Sequence, residues 1–207
     1  MSRVRVGYDR DMIVVDVETT GTEEDIHSLL SIGAVDFLKP SRRFYGECHM
    51  FPGAHIMDGS SEINGDTEEE MKDTSKQSDA DLVKDFIGWA LESDSIMFAG
   101  HNLIPIDFDF IKATCERNHI DFPFPKRTID LHSVCFTQMM ISGIEPPMEE
   151  GKSLLNSDRV FKYCGLPAEP RPHIALNGAL YETEAFSRLL KNEKLLPEFE
   201  QYEIPWI

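Results

Sequence analysis

The fold is decided by one stretch near the start of the chain, Ile13-Val14-Val15-Asp16-Val17-Glu18-Thr19-Thr20-Gly21. Its apolar run predicts a β-strand, and successive side chains of a strand point to opposite faces. Asp16 and Glu18 therefore project from one face, while Val15 and Val17 enter the core on the other. Two adjacent carboxylates repel each other. They are either two solvated acids at a strand end or the start of a site for a divalent cation such as Mg²⁺, which prefers carboxylate oxygens.

The composition is that of a globular protein. The chain has 207 residues, of which 41% are hydrophobic and 28% charged, within the usual range. This length allows one substantial core. We expect a single domain over 1–207, with its core at about 10–191 and a C-terminal tail at 192–207.

The chain carries no sign of membrane insertion or secretion. No apolar run approaches the ~20 residues of a membrane helix, and the first seven residues lack the apolar segment of a signal peptide. The four cysteines are far apart and form no CxxC pair. We therefore expect reduced thiols in a cytoplasmic protein that has no zinc site and no disulfide framework.

The charge restricts the class of partner. A formal net charge of −17 disfavours a protein that holds long duplexes through a basic surface. It remains compatible with a nuclease, because a metal-binding pocket is itself acidic. The charge favours a small or single-stranded substrate that is held at one end, or a partner protein that binds the rest of the nucleic acid.

The order of predicted elements is typical of an α/β protein. Strands at 12–18, 28–37 and 43–51 form an antiparallel meander. Helical periodicity at 79–92, with Ser78 as N-cap, precedes a short buried strand at 95–100 and a helix at 107–118. The remaining expectations are a short strand at 128–131, helices at 133–141, 154–164 and 174–191, polar loops or short helices at 60–76, a surface loop at 143–151, and a tail at 195–207 that packs back on the body or docks to a partner.

A second polar stretch, Gly100-His101-Asn102-Leu103-Ile104-Pro105-Ile106-Asp107, follows the buried strand. Ligands of α/β sheets bind at the carboxyl ends of the strands. Asp107 is therefore a candidate ligand, or alternatively the N-cap of the following helix. Asp109 is the competing acid, but it would face another side of that helix.

A third stretch, Arg171-Pro172-His173-Ile174-Ala175-Leu176-Asn177-Gly178, opens the last long helix. His173 precedes the positive end of that helix, and prolines fix its approach. A structural histidine is the alternative to a functional one. Arg171 is either a phosphate contact or a surface residue.

Together, the three stretches resemble the DEDDh, or DnaQ-like, 3′–5′ exonucleases, which include ribonuclease T, oligoribonuclease and the proofreading subunit of the bacterial replicative polymerase. The first motif, Asp-x-Glu-Thr-Thr-Gly, is complete. The second has the form Gly-His-Asn-x-x-x-φ-Asp-x-x-Phe, where φ is apolar, and assigns its acid to Asp107. The resemblance implies an RNase H-like fold, with a mixed five-stranded sheet flanked by helices.

The third motif departs from the family pattern, which has an aspartate five residues after the histidine. That position is Gly178. Glu182 lies one turn later on the same face of the helix, and helical side chains lean toward the N-terminus. We hypothesise that Glu182 replaces the absent aspartate. The alternatives are a site with one ligand fewer and an inactive or engineered site.

The resemblance also implies a mechanism and a substrate. Two Mg²⁺ or Mn²⁺ ions would be held by Asp16, Glu18, Asp107 and Glu182, and His173 would take a proton from the attacking water. Thr19, Thr20 and Asn102 would contact the 3′ end of single-stranded DNA or RNA, and nucleoside 5′-monophosphates would be released. The alternative is a catalytically impaired nucleic-acid binder or polymerase accessory protein. A polymerase or a second copy of the chain is a possible partner, and no membrane is expected.

Overall fold

A mixed five-stranded sheet forms the centre of the protein in the computed structural model, which describes residues 11–207. The strands are Ile13–Thr19 (β1), Leu29–Asp36 (β2), Arg43–Glu47 (β3), Phe98–Gly100 (β4) and Ile129–Asp130 (β5), in the order β3-β2-β1-β4-β5. The first three strands pair antiparallel, while β4 pairs parallel with β1 and β5 parallel with β4. The predicted sheet is therefore confirmed.

Helices cover both faces of the sheet. They are Ser60–Asn64 (α1), Glu68–Met71 (α2), Asp79–Ala90 (α3), Asp109–Arg117 (α4), Leu131–Ile141 (α5), Ser157–Tyr163 (α6) and Ala175–Lys191 (α7). Val14 of β1 packs in one apolar cluster with residues of α5, α6 and α7. Ile13, Val15 and Val17 pack in a second cluster with residues of α3 and α4. The alternation predicted for β1 thus puts Asp16 and Glu18 on the α7 side.

The boundaries differ from the sequence expectations where a local interaction intervenes. The third strand ends at Glu47; the next residue, Cys48, donates its N–H to the Leu30 carbonyl at 2.8 Å and forms an isolated bridge with Gln77. The sixth helix begins at Ser157, after Asn156 caps it by accepting a hydrogen bond from the Arg159 N–H at 3.1 Å. The stretch at 60–76 contains α1 and α2, and the stretch at 143–151 contributes to a small hairpin of Met148–Glu149 (β6) and Lys152–Ser153 (β7).

A buried ion pair fixes the C-terminal tail to α7. The Arg188 Nε donates to Glu184 at 2.7 Å, and both side chains are inaccessible to solvent. The Arg188 guanidinium also donates to the carbonyls of Phe199 and Tyr202, and Glu184 accepts from the N–H groups of Leu195 and Leu196. The tail therefore packs back on the body, which was the first of the two alternatives expected from the sequence.

One glycine sets the distance between α7 and the sheet. A Cβ at Gly33 on β2 would lie 2.2 Å from the backbone carbonyl carbon of Ala175. Only glycine permits this approach, which presses the first turn of α7 against the carboxylate face of β1. Among residues 11–207, no helix has the length and apolar character that crossing a bilayer requires.

Candidate active site

Asp16 and Glu18 lie on the same face of β1, in its second half. Asp16 pairs with Gly33 on β2, and Glu18 pairs with Ser31. The small partner residues leave the two carboxylates partly accessible beneath the first turns of α7. The pair predicted from the alternation is therefore present.

Asp107 reaches the same strand from a π-helical turn, Ile104–Phe108, that follows β4. The side chain is 4% exposed, and its Oδ1 accepts the backbone N–H of Val17 at 2.9 Å. The N-cap alternative for Asp107 was wrong, because the residue lies within the turn and bonds across to β1. Asp109 instead lies beside Glu24, Lys112 and Lys126, outside the cluster.

Gly178 and Glu182 bring α7 to this cluster. A Cβ at Gly178 would lie 2.2 Å from the Oδ2 of Asp16, so the aspartate carboxylate occupies the space of a side chain at that position. Glu182 is 4% exposed, and its Oε1 accepts the backbone N–H of His101 at 3.2 Å. Its Oε2 is buried and has no hydrogen-bond partner among residues 11–207.

The four carboxylates share an environment that disfavours their charged forms. Burial raises the pKa of Asp16 well above its ordinary value, and repulsion from Asp107, Glu182 and Glu18 raises it further. Burial likewise raises the pKa of Glu18 and the pKa of Asp107 to about 8 each. For Glu182, burial and then repulsion from Asp107 raise the pKa. In the absence of a cation, the cluster therefore holds protons near neutral pH.

Glu169 is a fifth acid of the site, which the sequence patterns did not single out. It lies in the loop between α6 and α7, close enough to Asp16, Glu18 and Glu182 to raise the pKa of each. Its own pKa is raised to about 7, chiefly by burial. The only sequence signal was its position between prolines, four residues before His173. That signal does not distinguish a site residue from a surface one.

His173 and Glu18 line the same cavity of about 220 Å³, together with Tyr45 and Asn64. The His173 backbone N–H donates to the carbonyl of Ile63 at 2.9 Å, which fixes the residue over this cavity. Burial and the nearby Arg171 lower the pKa of His173. The imidazole is therefore neutral near pH 7 and able to accept a proton.

The predicted substrate contacts differ in their accessibility. Thr20 is fully buried, and its hydroxyl donates to the His55 carbonyl and accepts the Ser28 N–H. This hydroxyl is not available to a substrate, so the expectation for Thr20 is corrected. Thr19 is partly accessible. Asn102, exposed and with a φ of 52°, lines a second cavity of about 500 Å³.

The donor types in the cluster fit a divalent cation. Carboxylate oxygens are the preferred ligands of Mg²⁺, and the unpartnered Oε2 of Glu182 is a buried donor without a use in the fold. Within residues 11–207, no three histidine, cysteine, aspartate or glutamate side chains are arranged so as to hold one ion together.

Comparisons with known proteins bear on this arrangement. The family model of the RNase T exonucleases matches residues 13–186. The "3'-5' DNA exonuclease Cap18" of Escherichia coli is 27% identical over 196 residues, which is 90% of this chain and 97% of that protein.

Solved structures have the same fold. The E. coli exonuclease I complex with a dA16 oligonucleotide superposes with a TM-score of 0.68 at 18% identity over 88% of this chain, which spans 41% of that protein. The nuclease domain of 3′hExo, a DEDDh family member bound to rAMP, gives 0.67 at 16% identity, covering 91% of this chain and 99% of that domain. These neighbours are RNase H-like exonucleases, and this chain shares that fold. The chain belongs to the RNase T family of exonucleases.

Proposed function

We propose that this protein is a metal-dependent 3′–5′ exonuclease that hydrolyses the terminal phosphodiester bond of single-stranded DNA or RNA and releases nucleoside 5′-monophosphates. One observation carries the proposal: carboxylates from β1, from the turn after β4 and from α7 lie close together around Asp16, and one of them, Glu18, lines the same cavity as His173. Family membership and the names of the relatives support it.

The chain's own residues have distinct roles in this proposal. Asp16, Glu18, Asp107 and Glu182 would hold the cations, and His173 would accept a proton from the attacking water. The water oxygen forms a bond to the terminal phosphorus, and the bond from phosphorus to the 3′ oxygen of the preceding nucleotide breaks. That oxygen takes a proton from solvent. Two bound Mg²⁺ or Mn²⁺ ions would stabilise the charge on the attacking and leaving oxygens.

The charge of the protein supports a single-stranded end as substrate. A net charge of −17 opposes extended contact with duplex phosphates. E. coli exonuclease I was solved with a dA16 oligonucleotide and in a complex with single-stranded DNA, and 3′hExo was solved with rAMP. We propose that Thr19 and Asn102 contact the terminal nucleotides, since both are accessible beside the cluster.

A direct assay tests the proposal. Short single strands of DNA and RNA, labelled at the 5′ end, are incubated with protein and Mg²⁺ or Mn²⁺. We expect a ladder that shortens from the 3′ end and nucleoside 5′-monophosphates by chromatography. Asp16→Asn should abolish cleavage, whereas Asp109→Asn, a matched change outside the cluster, should not. Wild-type protein that degrades neither substrate with either metal would refute the proposal.

A non-catalytic function is the second candidate, because Gly178 removes a carboxylate of the family pattern. In that case the protein would bind single strands without cleaving them, alone or as a polymerase accessory. The same assay, combined with measured binding of the labelled strands, separates the two functions. Association with a polymerase or with a second copy of this chain remains a prediction.

A further inference from the structure

The packing of α7 leaves a gap in the carboxylate set that position 178 is unable to fill. A Cβ at Gly178 would lie 2.2 Å from Oδ2 and 2.7 Å from Cγ of Asp16, whereas real Cβ contacts are not shorter than 3.0 Å. Negative oxygens beside Asp16 must therefore come from another position of the chain. Glu182 provides one such group, from one helical turn further along.

Buried oxygens without hydrogen-bond partners indicate a second carboxylate that supplies negative oxygens beside Asp16. In the described part of the chain, three carboxylates have buried oxygens without a hydrogen-bond partner: Asp11, Glu169 and Glu182. Asp11 precedes β1 and lies beside Asp36. Glu169 and Glu182 both lie close to Asp16. Because a buried polar atom without a partner is destabilising, two such atoms around one aspartate indicate a shared ligand.

The other acids near the cluster already have structural partners. Glu47 and Asp66 both lie within ion-pair distance of Lys76. Asp130 caps α5 by accepting the Ser133 N–H at 2.8 Å. Outside the four carboxylates of the cluster, Glu169 is thus the remaining acid near Asp16 for which the described fold shows no structural partner.

The loop that carries Glu169 is held in place. The Tyr181 hydroxyl on α7 donates to the carbonyl of Ala168 at 3.4 Å. Prolines at 167, 170 and 172 restrict the backbone on both sides. Arg171 is near enough to lower the pKa of Glu169, but within residues 11–207 the two form no ion pair. The carboxylate therefore remains available to a cation.

We propose that Glu169 is a ligand of the divalent cation beside Asp16 and that, with Glu182, it supplies the negative oxygens that position 178 lacks. This inference rests on the proposed metal-dependent function. It assigns a ligand from the loop before α7, in addition to the helix and strand residues of the family pattern.

Mn²⁺ binding to the full chain tests the assignment. Isothermal titration calorimetry would compare wild-type protein with Glu169→Gln and with Glu145→Gln, an exposed glutamate that is likewise followed by proline. We expect Glu169→Gln to weaken Mn²⁺ affinity by ~10-fold or more, as for loss of a metal-site partner, and Glu145→Gln to leave it unchanged. Thermal unfolding in EDTA supplies a second readout. There Glu169→Gln should be at least as stable as wild type, since it removes a repelled carboxylate, but it should gain less stability from Mn²⁺.

The outcomes separate this inference from the proposed function. If wild type cleaves and binds Mn²⁺ while Glu169→Gln binds equally well, the ligand assignment is wrong and the nuclease function stands. Loss of cleavage with unchanged Mn²⁺ affinity, or a variant that is less stable than wild type in EDTA, also overturns it. A wild-type protein that neither binds Mn²⁺ nor cleaves refutes the function and the assignment together.

Discussion

Replacing Gly178 with alanine tests whether the position of the Asp16 carboxylate matters for activity. Alanine within a helix is more stable than glycine by about 0.5–1 kcal/mol, so propensity alone predicts a more stable protein. The added Cβ would lie 2.2 Å from Asp16 Oδ2, whereas ordinary contact begins at 3.4 Å. To reach ordinary contact, the oxygen must therefore move by the difference, 1.2 Å.

Displacement on this scale is large for a reacting site. A misplacement of ~1 Å is able to reduce a rate by ~10²-fold. We therefore expect Gly178→Ala to lower kcat/KM for a labelled single strand by about that factor and to weaken Mn²⁺ binding. Its unfolding midpoint in EDTA should remain close to that of wild type, because the helix gain and the displaced carboxylate oppose each other.

Gly88 provides the matched control. It lies within α3, is exposed, and has no heavy atom within 4 Å of its Cβ position. Gly88→Ala should therefore raise the midpoint by ~2–4 °C, as about 1 kcal/mol does in a chain of this size, with unchanged activity. If Gly178→Ala cleaves as fast as wild type while Gly88→Ala behaves as described, Asp16 does not act from the position it has here.

Three further predictions concern the base, the pH dependence and the tail. His173→Asn should lower turnover by ~10²-fold or more without changing Mn²⁺ affinity by calorimetry; an unchanged rate would exclude it from the chemistry. In EDTA, the unfolding midpoint of wild type should fall as pH rises from about 4.5 to about 8. Native Glu18 and Asp107 each have a pKa of about 8, so over this range the folded protein retains protons that the unfolded chain has released. Saturating Mn²⁺ and Glu18→Gln should each flatten this slope, and a midpoint that rises over the range would contradict the raised pKa values. Arg188→Met should destabilise the protein by ~3–5 kcal/mol, because it leaves the buried Glu184 carboxylate unpaired, and should lower the unfolding midpoint by ~6–20 °C. Lys162→Met, a change at an exposed lysine, should have little effect. An equal loss of stability in both variants would rule out the ion pair as the cause.

The sequence predicted the elements whose periodicity is strong. Alternation in 13–19 placed Asp16 and Glu18 on one face, and the apolar stripe of 79–92 located α3 with its cap, Ser78, which accepts the Asp81 N–H at 3.1 Å. Elements of two residues, such as β6 and β7, are too short to have a period. The π-helical turn that contains Asp107 and the bridge from Cys48 to Gln77 depend on tertiary contacts, which no local pattern encodes.

The residues of the candidate site likewise divide into those that the sequence indicated and those that only the fold reveals. Asp107 was chosen over Asp109 because the resemblance to the family's second motif assigns the acid to it and because Asp109 would face another side of the helix; the burial of Asp107 against β1 supports that choice. Glu182 was hypothesised as a ligand because the family pattern lacks its aspartate at Gly178 and because i and i+4 share a helix face; its role as a ligand stays a prediction. Glu169 has neither a period nor a motif. Its place beside Asp16 arises from the path of the loop between α6 and α7, which only the folded chain reveals.

Glycine at 178 and glutamate at 182 are best understood as one coupled change. Gly33 brings the first turn of α7 against β2, and Gly178 lets Asp16 turn toward the helix. Because α7 lies this close to the sheet, the Glu182 side chain, one turn further along, reaches Gly100 and accepts the His101 N–H. An aspartate at 178 would push Asp16 away and crowd a cluster whose charged forms burial already disfavours. Restoring the family aspartate alone is therefore expected to impair cation binding, whereas removing the Glu182 carboxylate at the same time should reduce the crowding.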